Sequence, residues 1–226
     1  MSLPLHYQQL QKKIDAYAQQ CGRNPGEIEL IAVSKTQPIE RLSQLVAAGQ
    51  RHFAENYIKE ALPKIEALKD YPLTWHFIGP IQSNKTRDIA AHFDWVHSLD
   101  REKIAQRLHA HRLPTQQPLN VCIEVNMGDE ATKPGVSLSD LPSLAEKISG
   151  LSHLKLRGLM ALPPLTNSNT AQHAYFQQLH HAFDELLALG YHLDTLSMGT
   201  SHDYPIAIAE GATFLRIGTA LFGTRG

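Results

Sequence analysis

The stretch Leu30-Ile31-Ala32-Val33-Ser34-Lys35-Thr36-Gln37-Pro38-Ile39 holds one complete strand-to-helix transition. Its first four residues are apolar without alternation, the pattern of a strand buried on both faces. Ser34, Lys35 and Thr36 close the run, and Pro38 presets the first helical turn. Ile39, Leu42 and Val46 then share one helical face, which Gly49 ends.

The same unit recurs along the chain. Further strands are predicted at 52–54, 75–79, 95–97, 119–125, 156–162, 195–198 and 214–217. Between them, helical spacing links Ile58, Leu62, Ile65 and Leu68, then Ile104 and Leu108, then Leu141, Leu144 and Ile148. Phe176, Leu179, Phe183 and Leu186 form the clearest apolar stripe, ended by Gly190. A polar helix start falls at Gln82-Ser83-Asn84-Lys85, and Asp100 is placed to cap the helix of Ile104. A short helix opens at Pro205 and stops at Gly211. Pro63 predicts a kink or a late start in the third helix. One extra helix precedes the first strand, with Leu10, Ile14, Tyr17 and Cys21 on one face and Gly22 as its stop.

Alternating β and α elements predict a parallel sheet covered by helices. Roughly eight such units in 226 residues fit a single (β/α)8 TIM-type barrel with an extra N-terminal helix. A doubly wound open sheet is the alternative, because periodicity does not show closure. No G-x-G-x-x-G follows the first strand, which argues against a dinucleotide-binding version. No linker or internal repeat divides the chain, so residues 1–226 are read as one domain.

The formal net charge is −1, from 21 basic and 22 acidic side chains, which offers no attraction for nucleic acid or an anionic membrane. No run approaches the roughly 20 apolar residues of a membrane span, and no basic stretch leads into an apolar one at the start. Cys21 and Cys122 read as reduced thiols of a cytoplasmic protein. A monomer is expected.

In such a barrel the functional groups sit where strands end. An amine placed like Lys35, at the edge of an apolar pocket, has its charged form disfavoured, and neutral amine is what attacks a carbonyl. A lysine snorkelling into solvent is the commoner reading of that position taken alone. Gly199-Thr200-Ser201 before the helix at Pro205, and Gly218-Thr219 after the last strand, both suit a phosphate through hydroxyls and free N–H groups. Arg216 alternates with Leu215 and Ile217, so it faces the barrel interior if they face the helices. There it needs an acceptor, and an ion pair with Glu124 is the plain structural alternative. His109/His111 and His180/His181 lack zinc-helix spacing, and most of the 13 histidines read as surface residues. His76 differs by its place on the third strand.

Several segments together resemble the pyridoxal phosphate homeostasis proteins of the YggS/PROSC type. They are Leu30–Lys35, Phe53-Ala54-Glu55-Asn56-Tyr57, Trp75–Lys85, Val125–Glu130 with Lys133 and Gly135, Arg157–Ala161, and Leu196–Ser201 through Phe214–Gly223. The resemblance runs in order from residue 30 to the C-terminus, and its Trp75–Lys85 tract is the most specific. Ala54, Pro80 and Thr200 depart from the residues common in that family. The resemblance implies a barrel similar to the N-terminal domain of alanine racemase, with pyridoxal 5'-phosphate (PLP) held as a Schiff base on Lys35. It implies that Ser201, Gly218 and Thr219 hold the phosphate, that Arg216 faces the pyridine nitrogen, and that Asn56, His76 and Met160 line the ring pocket. Lys85 and Lys133 read as solvated loop lysines rather than transient aldehyde acceptors.

A guanidinium opposite the ring nitrogen leaves that nitrogen unprotonated, which weakens the ring as an electron sink. Racemases of related fold also take a second acid/base group from an added β domain, which is not expected after Gly226. The expected function is therefore to carry or buffer PLP, in transient contact with PLP-dependent apoenzymes and without catalysis. A racemase-like enzyme of low activity is the alternative.

Overall fold

Strand β1 (Glu29–Val33) pairs in parallel with β2 (His52–Glu55) on one side and with β8 (Phe214–Ile217) on the other, so the sheet closes on itself. Between them run β3 (Thr74–Phe77), β4 (Trp95–Leu99), β5 (Leu119–Glu124), β6 (Leu154–Met160) and β7 (Thr195–Ser197), each paired with its sequence neighbours. The computed structural model describes residues 2–128, 134–164, 166 and 168–223. Closure removes the open-sheet alternative. The seam is in register at Leu30–Leu215, Ile31–Arg216 and Ala32–Ile217.

Helices fill the outside: α1 (Leu3–Gln20), α2 (Ile39–Ala47), α3 (Ile58–Ala67), α4 (Thr86–His92), α5 (Glu102–His111), α6 (Leu141–Ser149), α7 (Asn169–Ala188), α8 (Tyr204–Ala209) and α9 (Thr219–Phe222). The main core lies between this shell and the sheet. Leu30, Phe53, Val96, Val121, Leu159 and Leu215 point outward into it from the strands, against Leu45, Ile89, Leu108, Ile148 and Leu179 of the helices. At roughly 2 kcal/mol for each fully buried large side chain, this layer is the main source of stability.

Four local expectations are corrected. The buried stripe of α1 is Tyr7, Leu10, Ile14 and Ala18, whereas Tyr17 and Cys21 are exposed. Small Ala18 lets the helix lie flat, and Tyr17 meets the Tyr204 ring edge-on at its margin. Helix α3 starts at Ile58 and runs through Pro63. Pro63 sits on the exposed face, where water can meet the Lys59 carbonyl that loses its helical donor. The N-cap of α5 is Arg101, and Asp100 pairs with that guanidinium instead of capping. The polar start at Gln82 is a 3₁₀ turn, Ser83–Lys85, before α4. Helix α9 had no periodic signature, being a single turn.

Inside the barrel the packing is different. Ile31, Val33 and Ala54 form one small apolar group, and Trp95, Cys122 and Met160 another. Buried between and around them are Arg216, His76, His97 and Ser197. Among the described residues no helix is long and apolar enough to cross a membrane, and no cluster of histidine, cysteine and carboxylate side chains could hold a metal.

Gly158 of β6 lies so close to β7 that a Cβ there would collide with the Thr195 carbonyl. Both atoms belong to paired strands, so neither can move alone. Gly158→Ala should therefore lower the unfolding free energy by about 3 kcal/mol in a denaturant titration.

Candidate functional site

The strand ends β1, β2, β7 and β8 meet at one mouth. Lys35, Asn56, Ser201, Arg216, Gly218 and Thr219 all line a single cavity there of about 210 Å³, with Val33 and Ile78 as apolar wall. Residues from both ends of the chain thus share one space.

Lys35 is half-buried at the rim, in a backbone segment braced on both sides. Before it, the Ser34 hydroxyl donates to Glu55 Oε1 at 2.6 Å, and the Ser34 carbonyl accepts from Lys64 Nζ at 2.8 Å. Lys64 also meets Glu55 Oε1 at 2.7 Å. After it, Thr36 has φ 63°, a left-handed conformation costly for a β-branched residue. Its N–H donates to Glu60 Oε2 at 2.8 Å, which helps hold that conformation. Burial pushes the Glu55 carboxyl up, against the hydrogen bonds from Lys64 and Ser34 that pull it down.

Opposite, the turn after β7 is shaped by Gly199 at φ 91°, where a Cβ would press on Ala207 Cβ at 2.6 Å. The N–H and hydroxyl of Thr200 both donate to Asp203 Oδ1, at 2.6 and 2.8 Å, and Gln172 of α7 donates to Asp203 Oδ2 at 2.9 Å. Ser201 Oγ accepts from the Ala220 N–H at 3.0 Å, tying this turn to α9. Thr219 opens α9, so its N–H has no helical carbonyl to meet. The result is a patch of hydroxyls and N–H groups on the same cavity as Lys35, with Gly218 beside Val33 at the β1–β8 seam.

Arg216 closes the floor. It is 4% exposed, and donates to Ser197 Oγ at 2.6 Å and to the Ala161 carbonyl at 2.9 Å. Burial lowers the guanidinium to about 10, with Asp203 and then Glu124 opposing. Glu124, pushed up to about 7 by burial, makes no ion pair with it among the described residues, so the structural alternative is set aside. Behind Ser197 the barrel interior carries three imidazoles in series. His97 Nδ1 lies 2.7 Å from Ser197 Oγ, His97 Nε2 2.9 Å from His76 Nδ1, and His76 Nε2 3.0 Å from His52 Nδ1. His52 Nε2 stands 3.9 Å from Glu29 Oε2 at the opposite end of the barrel. Burial holds His76 and His97 well below the ordinary histidine range, aided at His76 by its neighbours His97 and His52 and at His97 by Arg216.

Two residues expected around a ring pocket lie elsewhere. His76 is fully buried in this series, stacked on Trp95 with ring centroids 5.7 Å apart. Met160, also fully buried, packs on Trp95 and Cys122. Neither is among the residues that line the cavity, which include Arg216. Lys85 belongs to a separate cavity, between the loops after β2 and β3, that shares the Asn56 wall. Lys133 is outside the described residues. The residues missed by sequence reasoning are Glu55, Lys64, Thr36, His97 and Ser197. Lys64 carried a usable signal: it falls between Ala61 and Leu68 on the buried stripe of α3, where a charge needs a partner.

The fold and site define a class: parallel barrels that place one lysine beside an anion cradle at the strand ends. The family model for the alanine racemase N-terminal domain matches residues 5–226. A pyridoxal phosphate homeostasis protein of Pseudomonas aeruginosa is 56% identical over 94% of this chain and 91% of its own. One from Escherichia coli K12 is 47% identical over 96% and 94%. The solved structure of PipY from Synechococcus elongatus with PLP bound has a TM-score of 0.82 and 39% identity, over 93% of this chain and 100% of that one. An alanine racemase from E. faecalis shares the fold alone, with TM-score 0.66 and 16% identity over 95% of this chain and 58% of its own. The chain belongs to the pyridoxal phosphate homeostasis protein family, within the alanine racemase N-terminal domain fold.

Two measurements test this site. Lys64→Met strands the Glu55 carboxylate and should cost about 3–5 kcal/mol in denaturant titration, whereas Lys64→Met with Glu55→Leu should recover most of it. His76 and His97 have depressed folded values against about 6.5 unfolded, so the unfolded chain binds more protons on acidification. Their contribution is intact above pH 6.5 and is lost below it, by up to about 1.4 kcal/mol per pH unit for each. Glu124 acts with the opposite sign, so the comparison is between parent and His76→Gln/His97→Gln protein at pH 8, 6 and 5, where the variant should show the shallower acid slope.

Proposed function

We propose that this protein binds PLP and carries or buffers it, with Lys35 as the point of covalent attachment. The observation that carries the reading is the shared cavity, which sets the Lys35 amine against Ser201, Gly218 and Thr219. The residues present fit the cofactor. Asn56 Oδ1 is buried at that wall with no partner, a polar atom that a bound ligand would satisfy. When bound, PLP supplies an aldehyde to a primary amine and a dianionic phosphate to the opposite wall.

The chain's own residues divide the work. Lys35 offers the amine from a segment that the Ser34–Glu55–Lys64 bonds keep still. Ser201 and the N–H groups at Gly218 and Thr219 take the phosphate. Arg216, charged throughout the physiological range, would offer the ring nitrogen a donor, which would leave that nitrogen unprotonated. That favours holding over turnover, since an unprotonated ring stabilises a carbanion poorly. His76 and Met160 act from beneath, as support for the floor. The PipY structure with PLP bound and the names of the curated relatives support the same ligand. Cytoplasmic location, a monomeric state and transient delivery to apoenzymes complete the proposal, and the free thiols of Cys21 and Cys122 agree with a reducing compartment.

Borohydride reduction after PLP addition, followed by peptide mapping, should place the pyridoxyl group on Lys35, and Lys35→Ala should abolish the visible absorption band. An adduct mainly on another lysine, or none, would overturn the reading. Loss of optical activity from L-alanine at enzyme-like turnover would overturn its non-catalytic half.

A further inference from the structure

The interior series has one direction. Ser197 is fully buried, and its hydroxyl meets two side chains, Arg216 and His97. A guanidinium only donates, so Ser197 Oγ accepts from Arg216 and must send its own proton to His97 Nδ1. Were His97 to donate instead, the Ser197 proton would be buried without an acceptor, at a cost of about 1–3 kcal/mol. With Nδ1 accepting, neutral His97 carries its proton on Nε2 and donates to His76 Nδ1. The same logic passes to His76 Nε2–H and His52 Nδ1, and leaves His52 Nε2–H pointing toward the Glu29 carboxylate.

Every imidazole then turns its lone pair toward Arg216 and its N–H away. Three dipoles add, with their negative ends facing a buried cation that touches no carboxylate among the described residues. This answers how a guanidinium survives there: Ser197 and the Ala161 carbonyl fix two of its nitrogens, and the column behind supplies opposing potential. Trp95 and Phe214 pack on the rings of His76 and His97, and so keep water from competing for these bonds.

We propose that Ser197, His97, His76 and His52 act as one polarised column that holds Arg216 in its cavity-facing pose, and are positioning residues for the group Arg216 receives. For the cofactor ring nitrogen as that group, the inference rests on the PLP reading; the column itself does not. The four residues lie on β7, β4, β3 and β2, so the column runs along three neighbouring strands and crosses the barrel interior to β7 and β8.

The first test uses the unmodified full chain without cofactor. Long-range proton–nitrogen NMR at pH 8 should find His97, His76 and His52 as Nε2–H tautomers. An Nδ1–H tautomer at His97 or His76 would overturn the proposal. The second uses Ser197→Ala, which removes the hydroxyl with little change in volume. Rotation of the Arg216 guanidinium should change from slow to fast, PLP should bind about tenfold more weakly, equal to about 1.4 kcal/mol, and the absorption maximum of the loaded protein should shift. Unchanged guanidinium rotation, or unchanged affinity and absorption, would overturn it. Should the parent protein take up no PLP, the functional reading fails, while the tautomers and the guanidinium rotation still decide the column.

Discussion

A permanent positive charge sealed inside a parallel barrel sets the terms for everything around Arg216. Removing a guanidinium from water is expensive unless its donors are met and its field is answered. Here the nearest answer is built from neutral groups, a serine hydroxyl and a carbonyl, with Asp203 and Glu124 contributing at longer range. The remainder of the interior conforms to that choice. His76 and His97 stay uncharged beside it, and Trp95, Cys122 and Met160 fill the space that water would otherwise enter.

The same constraint shapes the mouth. With a fixed cation among its lining residues, the cavity also carries Ser201 and Thr219 at the β7 and β8 ends. The Lys35 amine stands at the end of β1, beside β8. Its segment carries two local costs, a left-handed Thr36 next to Lys35 and a buried Lys64–Glu55 pair bonded to the preceding Ser34. Pairing a buried charge gains little net stability but restricts geometry strongly. Local strain retained beside a reactive amine is consistent with selection for position over stability.

Likeness to alanine racemases at 16% identity extends to the barrel and no further. What a shared barrel provides is a rigid ring of strand ends, on which a few side chains decide the chemistry. In this chain Arg216 sets a guanidinium, a donor that holds its proton, on the cavity.

Strand and helix order was legible because each βα unit carries its own signals: an unbroken apolar run such as 30–33, a helix-opening proline, a stop glycine. Lys35, Ser201, Arg216, Gly218 and Thr219 could be picked out because strand ends are local features, and the family resemblance added their roles. Closure was not legible, since β1 and β8 are joined by backbone bonds that leave no trace in periodicity. Nor was the placement of His76 and Met160, which depends on their contacts with His97, His52, Trp95 and Cys122 on other strands. His97 and Ser197 looked ordinary for the same reason: each is a single inward position on its own strand. By itself, the sequence determined which groups point inward and which amine stands at a strand end, because alternation along a strand is a short-range property. Only the tertiary structure decided which inward groups touch, because hydrogen bonds between strands far apart in sequence depend on barrel register and curvature.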